Sequence, residues 1–493
     1  MLGTLFRFRR PLSVFAGGGL ALALFSTAHA QEPAEEVADI IAAVDTAWLM
    51  IAAILVFFMQ AGFAMVEAGF VRSKNVANIL MKNMLDCSLG AVAFWAVGWG
   101  IAYGYSGDSA GGFIGNGHFF LGGSFGDDYA GWFFQFAFAA TAATIVSGAM
   151  AERTKFQGYL FYTVFITAII YPVVVHWVWS GDGWLTAFPS DGDPIGTNGY
   201  MDFAGSGVVH MVGGFAGLMG ALIVGPRLGK YTNGGVNPIP GHNMSIAVLG
   251  MFILWFGWYG FNPGSTLGLS GGLAALAAKV AVNTTLAAGA GAACMAFISR
   301  LRYGKYDTGL SINGALGGLV GITAPCAAVD PWAAVLIGLI AAPVVLLGVE
   351  LLDKLHIDDP VGAVSVHGFA GVWGVLSLGL FATQNGVLDH TGTESGAYGL
   401  LLGGGVEQLG IQALGAGAII AWTSVTAGIL FLAIKYTVGL RVSEEEEMRG
   451  LDLDEHGIEA YPYFERAPES GVAILSEGPT GAPVMVDRPA TST

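Results

Sequence analysis

The sequence predicts an all-α polytopic membrane protein with eleven transmembrane helices, arranged as a five-plus-five inverted repeat plus one extra helix. The first observation is composition: the 493 residues are 54% hydrophobic and 11% charged, whereas about a quarter of the residues of soluble domains are charged. So much apolar surface requires lipid around it. The 76 glycines fit this environment, because they lie inside apolar runs and small residues let helices approach closely in lipid.

The second observation is a sequence motif that occurs twice, each time around a histidine in an apolar segment. Asp202 precedes His210 by eight residues, and Asp359 precedes His367 by the same interval. Glycines follow each histidine at the fourth and seventh positions. Because inverted repeats in transporters meet at a site near the membrane midplane, the two histidines are predicted to lie close together.

The third observation is the charge of the loops. Eleven apolar segments are long enough to cross the hydrocarbon layer, and they cover about 46–70, 79–104, 131–151, 157–180, 203–226, 244–262, 271–299, 309–327, 331–352, 362–384 and 411–436. All arginines and lysines of the connecting loops fall on alternate loops, beginning with Arg72 and Lys74. This positive-inside pattern predicts an N-terminus outside the cell and a C-terminus in the cytoplasm.

The terminal regions are predicted to be separate from the membrane domain at 31–440. Residues 1–30 have three arginines, a short apolar stretch and Ala-His-Ala, which is typical of a cleaved signal peptide. Residues 441–466 form an acidic, partly helical cytoplasmic tail, and the Gly/Pro/Ser/Thr-rich 467–493 is expected to be disordered. Lys279, near the outer end of the seventh span, is expected to reach the interface or to pair at a subunit contact, with a role in transport as the alternative.

His210 and His367 are the first candidate functional residues. A single histidine on an apolar helix is more often a packed core residue, but two at equivalent repeat positions indicate function. Facing imidazoles could hydrogen-bond each other and offer a polar contact to a small substrate. Metal binding is not expected, because no carboxylate or thiol in these two spans supplies a third ligand.

Aromatic residues near the outer ends of three spans are the second candidates. Phe134 and Phe138 are one helical turn apart and share a face, while Trp179, Phe261 and Ser265 end two other spans. Aromatic faces and a hydroxyl can hold a small cation. The alternative is the ordinary aromatic belt of membrane proteins. Asp202 is expected mainly to cap the fifth span, and its charge could also favour a cation.

These residues lie in longer motifs that identify a family. DFAGSGVVH, GWYGFNPGS, DDPVGAVSVHG, GAMAERTKF and VGLRVSEEEEMRGLDLDEHGIEAY resemble the ammonium transporter, methylammonium permease and Rhesus family, specifically its bacterial ammonium-transporter branch. The resemblance covers about residues 40 to 462. It implies a homotrimer with one pore in each protomer.

The resemblance also implies roles for individual residues. An outer ammonium site would consist of Phe134, Phe138, Trp179 and Ser265, a gate of Phe138 over Phe261, and a pore pair of His210 and His367, with Asp202 as structural support. The tail would take part in docking a PII-type nitrogen-regulatory protein, the alternative being a merely solvated acidic segment. No cofactor, metal or nucleic acid is implied.

The expected function is therefore transport of ammonium, with methylammonium as an analogue. Ammonium would bind at the outer aromatic site, lose a proton and cross as ammonia, with the proton carried separately. Two alternatives remain, an ammonium sensor that signals through the tail and an electroneutral channel for ammonia or carbon dioxide. No motif of an enzyme is present in the spans.

Overall fold

The computed structural model describes residues 24–104, 112–122, 128–232 and 234–462. The described chain is mainly helical, with one short antiparallel pair of strands, β1 (Tyr231–Thr232) and β2 (Gly235–Val236). The helices are α1 (Leu24–Phe70), α2 (Val76–Ala93), α3 (Trp99–Tyr103), α4 (Tyr129–Ala149), α5 (Phe156–Phe165), α6 (Tyr171–Trp179), α7 (Val212–Val224), α8 (Met244–Phe261), α9 (Leu273–Tyr303), α10 (Thr308–Thr323), α11 (Pro331–Lys354), α12 (Ala370–Phe381), α13 (Gln384–Thr391), α14 (Glu407–Thr437), α15 (Glu444–Arg449) and α16 (Leu451–His456).

Shorter segments of other helix types join several of these helices. Four segments are π-helical and continue directly into an α-helix, at Phe94–Gly98, Ile166–Ile170, Ser206–Met211 and Val364–Phe369. Four are 3₁₀-helical, at Ser73–Asn75, Phe119–Leu121, Pro263–Thr266 and Leu400–Leu402. The π segments make four helices continuous. Two of them join α2 to α3 and α5 to α6, and the other two extend α7 and α12 at their N-terminal ends.

Ten helical rods of the described chain are long and apolar enough to cross a membrane, and they correspond to ten of the eleven predicted spans. The eighth predicted span is α10, which has 16 residues and is almost wholly buried. A 16-residue helix is about 24 Å long, which is shorter than the hydrocarbon layer. The all-helical polytopic fold is thus confirmed, and α10 is a short central helix enclosed by protein.

Helix starts and ends follow local sequence signals. Asp128, Asn243 and Asp307 accept backbone N–H groups two or three residues inside α4, α8 and α10, as side chains at helix N-termini commonly do. Pro331 occupies the first position of α11, where its missing N–H costs nothing. Gly304 ends α9 with a φ of 78°, a conformation that glycine adopts without strain.

Packing between the helices reproduces the predicted inverted repeat. In the first half α4 packs against α1, α2 and α7; in the second half α10 packs against the corresponding α8, α9 and α12. The halves cross where α7 meets the π-helical segment Val364–Phe369 and where α12 meets its counterpart Ser206–Met211. α14, the extra helix, packs beside α7 and α12. The repeat therefore places its two π-helical segments side by side.

Two glycines make the crossing of the halves possible. A Cβ atom on Gly214 would clash with the backbone of Gly368, so the two backbones touch directly. Gly214 is one of the glycines at the fourth position after a histidine, and Gly368 follows His367. Close backbone approach is the usual reason for small residues between membrane helices.

The two ends of the bundle differ in charge. We call the end at which α1 finishes the basic end, because its loops carry Arg72, Arg153 and Arg227; the other is the vestibule end. At the basic end the Arg227 guanidinium bridges two buried carboxylates, with Nη1 2.7 Å from Glu152 Oε2 and Nε 2.8 Å from Asp358 Oδ2. Arg72 adds a contact of 3.1 Å to Glu152.

This cluster strongly perturbs its acids. Burial alone would raise the pKa of Glu152, but Arg227 and Arg72 outweigh it and lower the pKa to about 2. Burial likewise opposes ionisation of Asp358, and Arg227 with Arg153 holds the pKa of that carboxyl well below its ordinary value. Both acids are therefore charged at neutral pH, and the cluster joins four loops.

Helices α15 and α16 of the tail pack on the basic end. Backbone N–H groups of Leu228 and Asn78 donate to Glu447 Oε1 (2.7 Å) and Asp452 Oδ1 (2.9 Å). Glu447 and Asp452 are each 1% exposed. The alternative of a merely solvated tail is therefore wrong for residues 444–456, because amides of the loop after α7 and of the first turn of α2 supply the hydrogen bonds that water would otherwise supply.

Three further predictions concern the two ends of the chain and Lys279. The predicted signal peptide and the extension at 467–493 lie wholly or mostly outside the described residues and stay predictions. Lys279 has a partner within the described chain, because its Nζ is 2.9 Å from Asp389 Oδ2 and 3.0 Å from the Ala327 carbonyl oxygen; its position at a subunit contact stays a prediction. Helix α13, which carries Asp389, folds back over the end of α9, and the sequence did not reveal this contact.

Candidate functional site

A cavity of about 190 Å³ lies at the vestibule end and contains the predicted aromatic site. Its wall includes Phe134, Phe138, Trp179, Ser265 and Asp202. The structure thus brings together residues from α4, α6, the turn after α8 and the segment before α7. Further wall residues are Tyr103, Gln135, Phe188, Phe203, Leu267 and His390.

The aromatic rings of this wall pack against one another. The Phe134 and Phe138 ring centroids are 4.6 Å apart, as expected for side chains one turn apart on α4. Trp179 meets Phe138 edge-on, with centroids 5.9 Å apart and planes at 80°. Such rings can attract a small cation through their faces, particularly where water is partly excluded.

Ser265 supplies a hydroxyl at the same cavity. It lies in the 3₁₀ turn Pro263–Thr266, which begins directly after α8. Its Oγ donates to the Phe261 carbonyl oxygen at 2.7 Å. Because that bond uses the hydroxyl proton, the lone pairs of Oγ are left to accept a hydrogen bond from a ligand.

Asp202 caps the histidine-bearing segment, as predicted, but from an earlier position. Gly205 occupies the N-cap position with a φ of 110°. The Asp202 carboxylate accepts four backbone N–H groups, from Gly205 and Ser206 on Oδ1 and from Gly207 and Val208 on Oδ2, at 2.8–2.9 Å. These donors converge on one carboxylate, which fixes the start of the segment.

Asp202 also orients the aromatic wall and adds charge to it. Its backbone carbonyl oxygen accepts the Trp179 Nε1–H at 2.8 Å. Burial raises the pKa of the Asp202 carboxyl to about 6, against the opposing effect of the four N–H donors. At neutral pH the carboxylate therefore predominates, and it contributes negative charge beside the cavity.

Two stacked rings separate the cavity from the centre of the bundle. The Phe138 and Phe261 centroids are 4.1 Å apart with planes at 25°, and both side chains are fully buried. The Phe261 ring is in turn 5.3 Å from the His210 ring. A molecule moving from the cavity to the histidines must therefore displace these two rings.

The predicted histidine pair is present. His210 Nδ1 and His367 Nδ1 are 3.1 Å apart, and the rings are nearly parallel, with centroids 5.2 Å apart. One of the two nitrogens must donate and the other accept, so the contact requires a proton on only one Nδ1. His210 also stacks on Trp258 at 5.1 Å, which fixes its ring plane.

Both histidines lie on equivalent π-helical segments, Ser206–Met211 and Val364–Phe369. Asp359 caps the second segment by accepting N–H groups of Ala363 and Val364 at 3.0 and 2.8 Å, as Asp202 does for the first. Single π turns are frequent at functional sites. The eight-residue interval between each aspartate and its histidine thus has a structural reason. The aspartate caps the start of the helical segment, and the histidine follows after about a turn and a half of helix.

Sequence reasoning missed His390, which lies on α13 and is 1% exposed. Its ring stacks on Phe188 at 5.8 Å with planes at 3° and meets Phe203 edge-on at 5.5 Å. Burial lowers the pKa of His390 to about 3, so the ring is uncharged at neutral pH. The sequence could not reveal His390 as a wall residue, because it lies in a connecting segment without a periodic pattern and reaches the cavity only when that segment folds back.

Comparison with known proteins gives consistent results over most of the chain. The Ammonium Transporter Family matches residues 47–461. Ammonium transporter Amt2 of Archaeoglobus fulgidus is 49% identical over 425 residues, which are 85% of this chain and 89% of the relative. Ammonium transporter 1 member 1 of Arabidopsis thaliana is 45% identical over 413 residues, 81% of this chain and 82% of the relative. A solved structure titled Sensor Amt Protein has a TM-score of 0.75 at 38% identity and covers 85% of this chain and 99% of its own.

Proposed function

Because the chain belongs to the ammonium transporter family, we propose that it recruits ammonium at the vestibule cavity and conducts ammonia through its centre. Phe134, Phe138, Trp179 and Ser265 hold the cation, with Asp202 in support. Ammonium loses a proton at the stacked rings of Phe138 and Phe261. Ammonia then passes the histidine pair, and the proton is carried separately.

The cost of moving charge through the centre supports proton loss. Buried apolar side chains pack around the histidine pair, among them Trp258, Phe261 and Phe63. A bare cation there would forfeit several kcal/mol or more of hydration, whereas ammonia carries no charge. The observation that carries the proposal is the His210–His367 contact of 3.1 Å directly behind the stacked rings, since it offers a polar contact and a proton acceptor in an otherwise dry segment.

We further propose that the vestibule end faces outward and the basic end faces the cytoplasm, in a bacterial cytoplasmic membrane. The clustering of loop arginines at one end supports this orientation, because cytoplasmic loops are enriched in arginine and lysine. Recruitment would then take place outside the cell.

Ion selectivity tests the proton-loss step. Full-length protein reconstituted in vesicles is expected to give a current after an ammonium pulse, and a current below about a tenth of that value after an equal potassium pulse, because potassium has no proton to lose. Transient current recorded from the vesicles is the measurement, with protein-free vesicles as the control. Comparable currents from the two ions would contradict the proposal, and ammonium flux without current would instead favour electroneutral ammonia conduction.

A second candidate function is ammonium sensing. The similarity to a structure titled Sensor Amt Protein and the buried contacts of α15 and α16 with the basic-end loops favour it. In that case ammonium would bind at the vestibule cavity and alter the tail, while transport would be slight. Binding without flux in the vesicle measurement would favour this function.

We also propose that the protein is a homotrimer that docks a PII-type nitrogen-regulatory protein at the basic end. The tail offers exposed apolar side chains there, with Met448 and Ile458 each 59% exposed. Light scattering of purified protein is expected to give three times the mass of one chain after removal of its predicted signal peptide. The double variant Met448→Asp, Ile458→Asp is expected to keep that mass and lose co-purification of a PII-type protein. Retention of PII binding by the variant would contradict this docking surface.

A further inference from the structure

A second, much smaller cavity lies on the other side of the histidine pair. Its volume is about 20 Å³, and its wall includes Glu67, His367, Phe63 and Asn313. Because Glu67 lies one turn before the basic end of α1 and His210 is not part of this wall, the cavity lies on the basic-end side of the pair. A water molecule requires about 10–15 Å³ by the same measure. The cavity therefore has room for one water or ammonia molecule between the imidazole of His367 and the carboxyl group of Glu67.

His367 lines this cavity and has a second ring nitrogen besides the one that contacts His210. Its Nδ1 contacts His210, which leaves Nε2 as the other nitrogen of the ring, and the described residues give Nε2 no hydrogen-bond partner. Phe63 packs 5.8 Å from the His367 ring and fixes its plane. A proton that reaches His367 through Nδ1 can thus leave through Nε2.

Glu67 is an acidic residue inside a membrane span. It lies on α1, one turn before the helix ends at Phe70, and is 2% exposed. Its Oε2 accepts from Asn83 Nδ2 at 3.3 Å, and Asn83 Oδ1 in turn accepts from Thr144 Oγ1 at 2.7 Å. Ionisable groups in spans are costly and usually functional. The chain of two hydrogen bonds holds the carboxyl group at the cavity wall.

The other charged groups near Glu67 lie on α2 and do not line the cavity. Asp86 accepts from Tyr159 Oη at 2.6 Å and Thr163 Oγ1 at 2.7 Å. Lys82 is fully buried and lies 5.4 Å from the Tyr159 ring centroid. Asp86 therefore has its own hydrogen-bond partners and offers a matched carboxylate outside the pathway.

We propose, on the basis of the proton-separating function above, that Glu67 is the proton-exchange residue at the basic end of the pore. A proton on His367 Nε2 passes to the molecule in the small cavity, and a second proton of that molecule passes to the Glu67 carboxylate, which becomes a carboxylic acid. Ammonia that arrives in the cavity takes this proton and leaves as ammonium, which regenerates the carboxylate. A carboxyl group separated from a proton donor by one molecule is within reach for such transfer.

Vesicle currents of four variants test this role in the full-length protein. Glu67→Gln keeps the size and the acceptor oxygen for Asn83 but cannot exchange a proton, and we expect it to lower the ammonium current about tenfold or more. Glu67→Asp keeps a carboxyl group and is expected to retain more current than Glu67→Gln. Asp86→Asn is the matched control and is expected to stay within about twofold of the original protein. Formate inside the vesicles is expected to restore current to Glu67→Ala, because a small carboxylate can occupy the space left by the side chain.

The outcomes separate this proposal from the function on which it depends. An original protein without ammonium current would overturn both. A normal current in the original protein together with at least half of that current in Glu67→Gln would overturn the role of Glu67 alone. Loss of current in Glu67→Gln with no advantage of Glu67→Asp and no rescue by formate would identify a purely structural role, which also overturns the proposal.

Discussion

Replacing both His210 and His367 by alanine is expected to lower the ammonium current roughly 10²-fold or more. The two rings are the polar groups that lie directly behind the stacked Phe138 and Phe261, and their Nδ1 atoms share one hydrogen bond. Without them, a proton lost from ammonium meets an apolar path with no acceptor. The same vesicle measurement records the effect.

The histidine variant is also expected to discriminate less well between ammonium and potassium. Two alanines widen the path and remove the step that requires a transferable proton, so any residual ion passage no longer depends on proton loss. The matched control is His176→Ala, which removes a fully buried histidine of α6 whose Nδ1 contacts the Ala102 carbonyl oxygen outside the pore. Full current in the double variant, or an equal loss in His176→Ala, would contradict a proton role for the pair.

Arg227→Met is expected to destabilise the folded protein by about 3–5 kcal/mol. Arg227 is 3% exposed at its side chain and neutralises both Glu152 and Asp358. Its removal leaves two buried carboxylates without the positive charge between them, which costs far more free energy than the loss of a surface ion pair. The thermal unfolding midpoint of purified protein in detergent is the measurement.

Arg302→Met provides the control for Arg227→Met. Arg302 lies 2.6 Å from Glu350, but its side chain is 52% exposed, so its loss is expected to lower the unfolding midpoint far less than Arg227→Met does. Adding Glu152→Gln and Asp358→Asn to Arg227→Met is expected to recover part of the stability, because the unpaired charges are then absent. Equal shifts for Arg227→Met and Arg302→Met would contradict the importance of the buried cluster.

The same cluster determines how the stability of the folded protein changes with pH. The pKa of Glu152 falls from 4.5 to about 2 on folding, so its contribution to stability is complete above the unfolded value and is lost as the pH falls from about 4.5 towards 2. The original protein is therefore expected to lose this contribution in that window, whereas Arg227→Met has already lost most of it.

Features recorded in periodic or local patterns could be predicted from the sequence. The spans follow from the length of the apolar segments, and the internal repeat follows from the motif shared by the two histidines. The pairing of His210 with His367 follows from the antiparallel orientation of the two halves. The family resemblance supplied the set Phe134, Phe138, Trp179 and Ser265, and the structure brings those residues to one cavity. Their roles in ammonium binding remain proposals.

Features that depend on contacts between distant segments could not be predicted. His390 lines the vestibule cavity because the segment that contains α13 folds back over it. Glu67 and His367 are 300 residues apart in the sequence and line the same small cavity. The burial of Glu447 and Asp452 depends on backbone amides of Leu228 and Asn78, which are distant in the sequence and which composition cannot reveal. The length of α10 was overestimated because its apolar character continues into the turn that follows it.

The direct backbone contact of Gly214 with Gly368 has a consequence for the rate of transport. Transporters that alternate access move one half against the other, typically in microseconds to milliseconds. Here the halves touch at their backbones right beside the histidine pair, so such a movement would pull apart the groups that handle the substrate. Passage is instead expected to need only rotation of the Phe138 and Phe261 rings, and side-chain rotations are intrinsically much faster than motions of whole domains. Throughput would then be limited by how often ammonium gives up its proton, as in a channel with a chemical step.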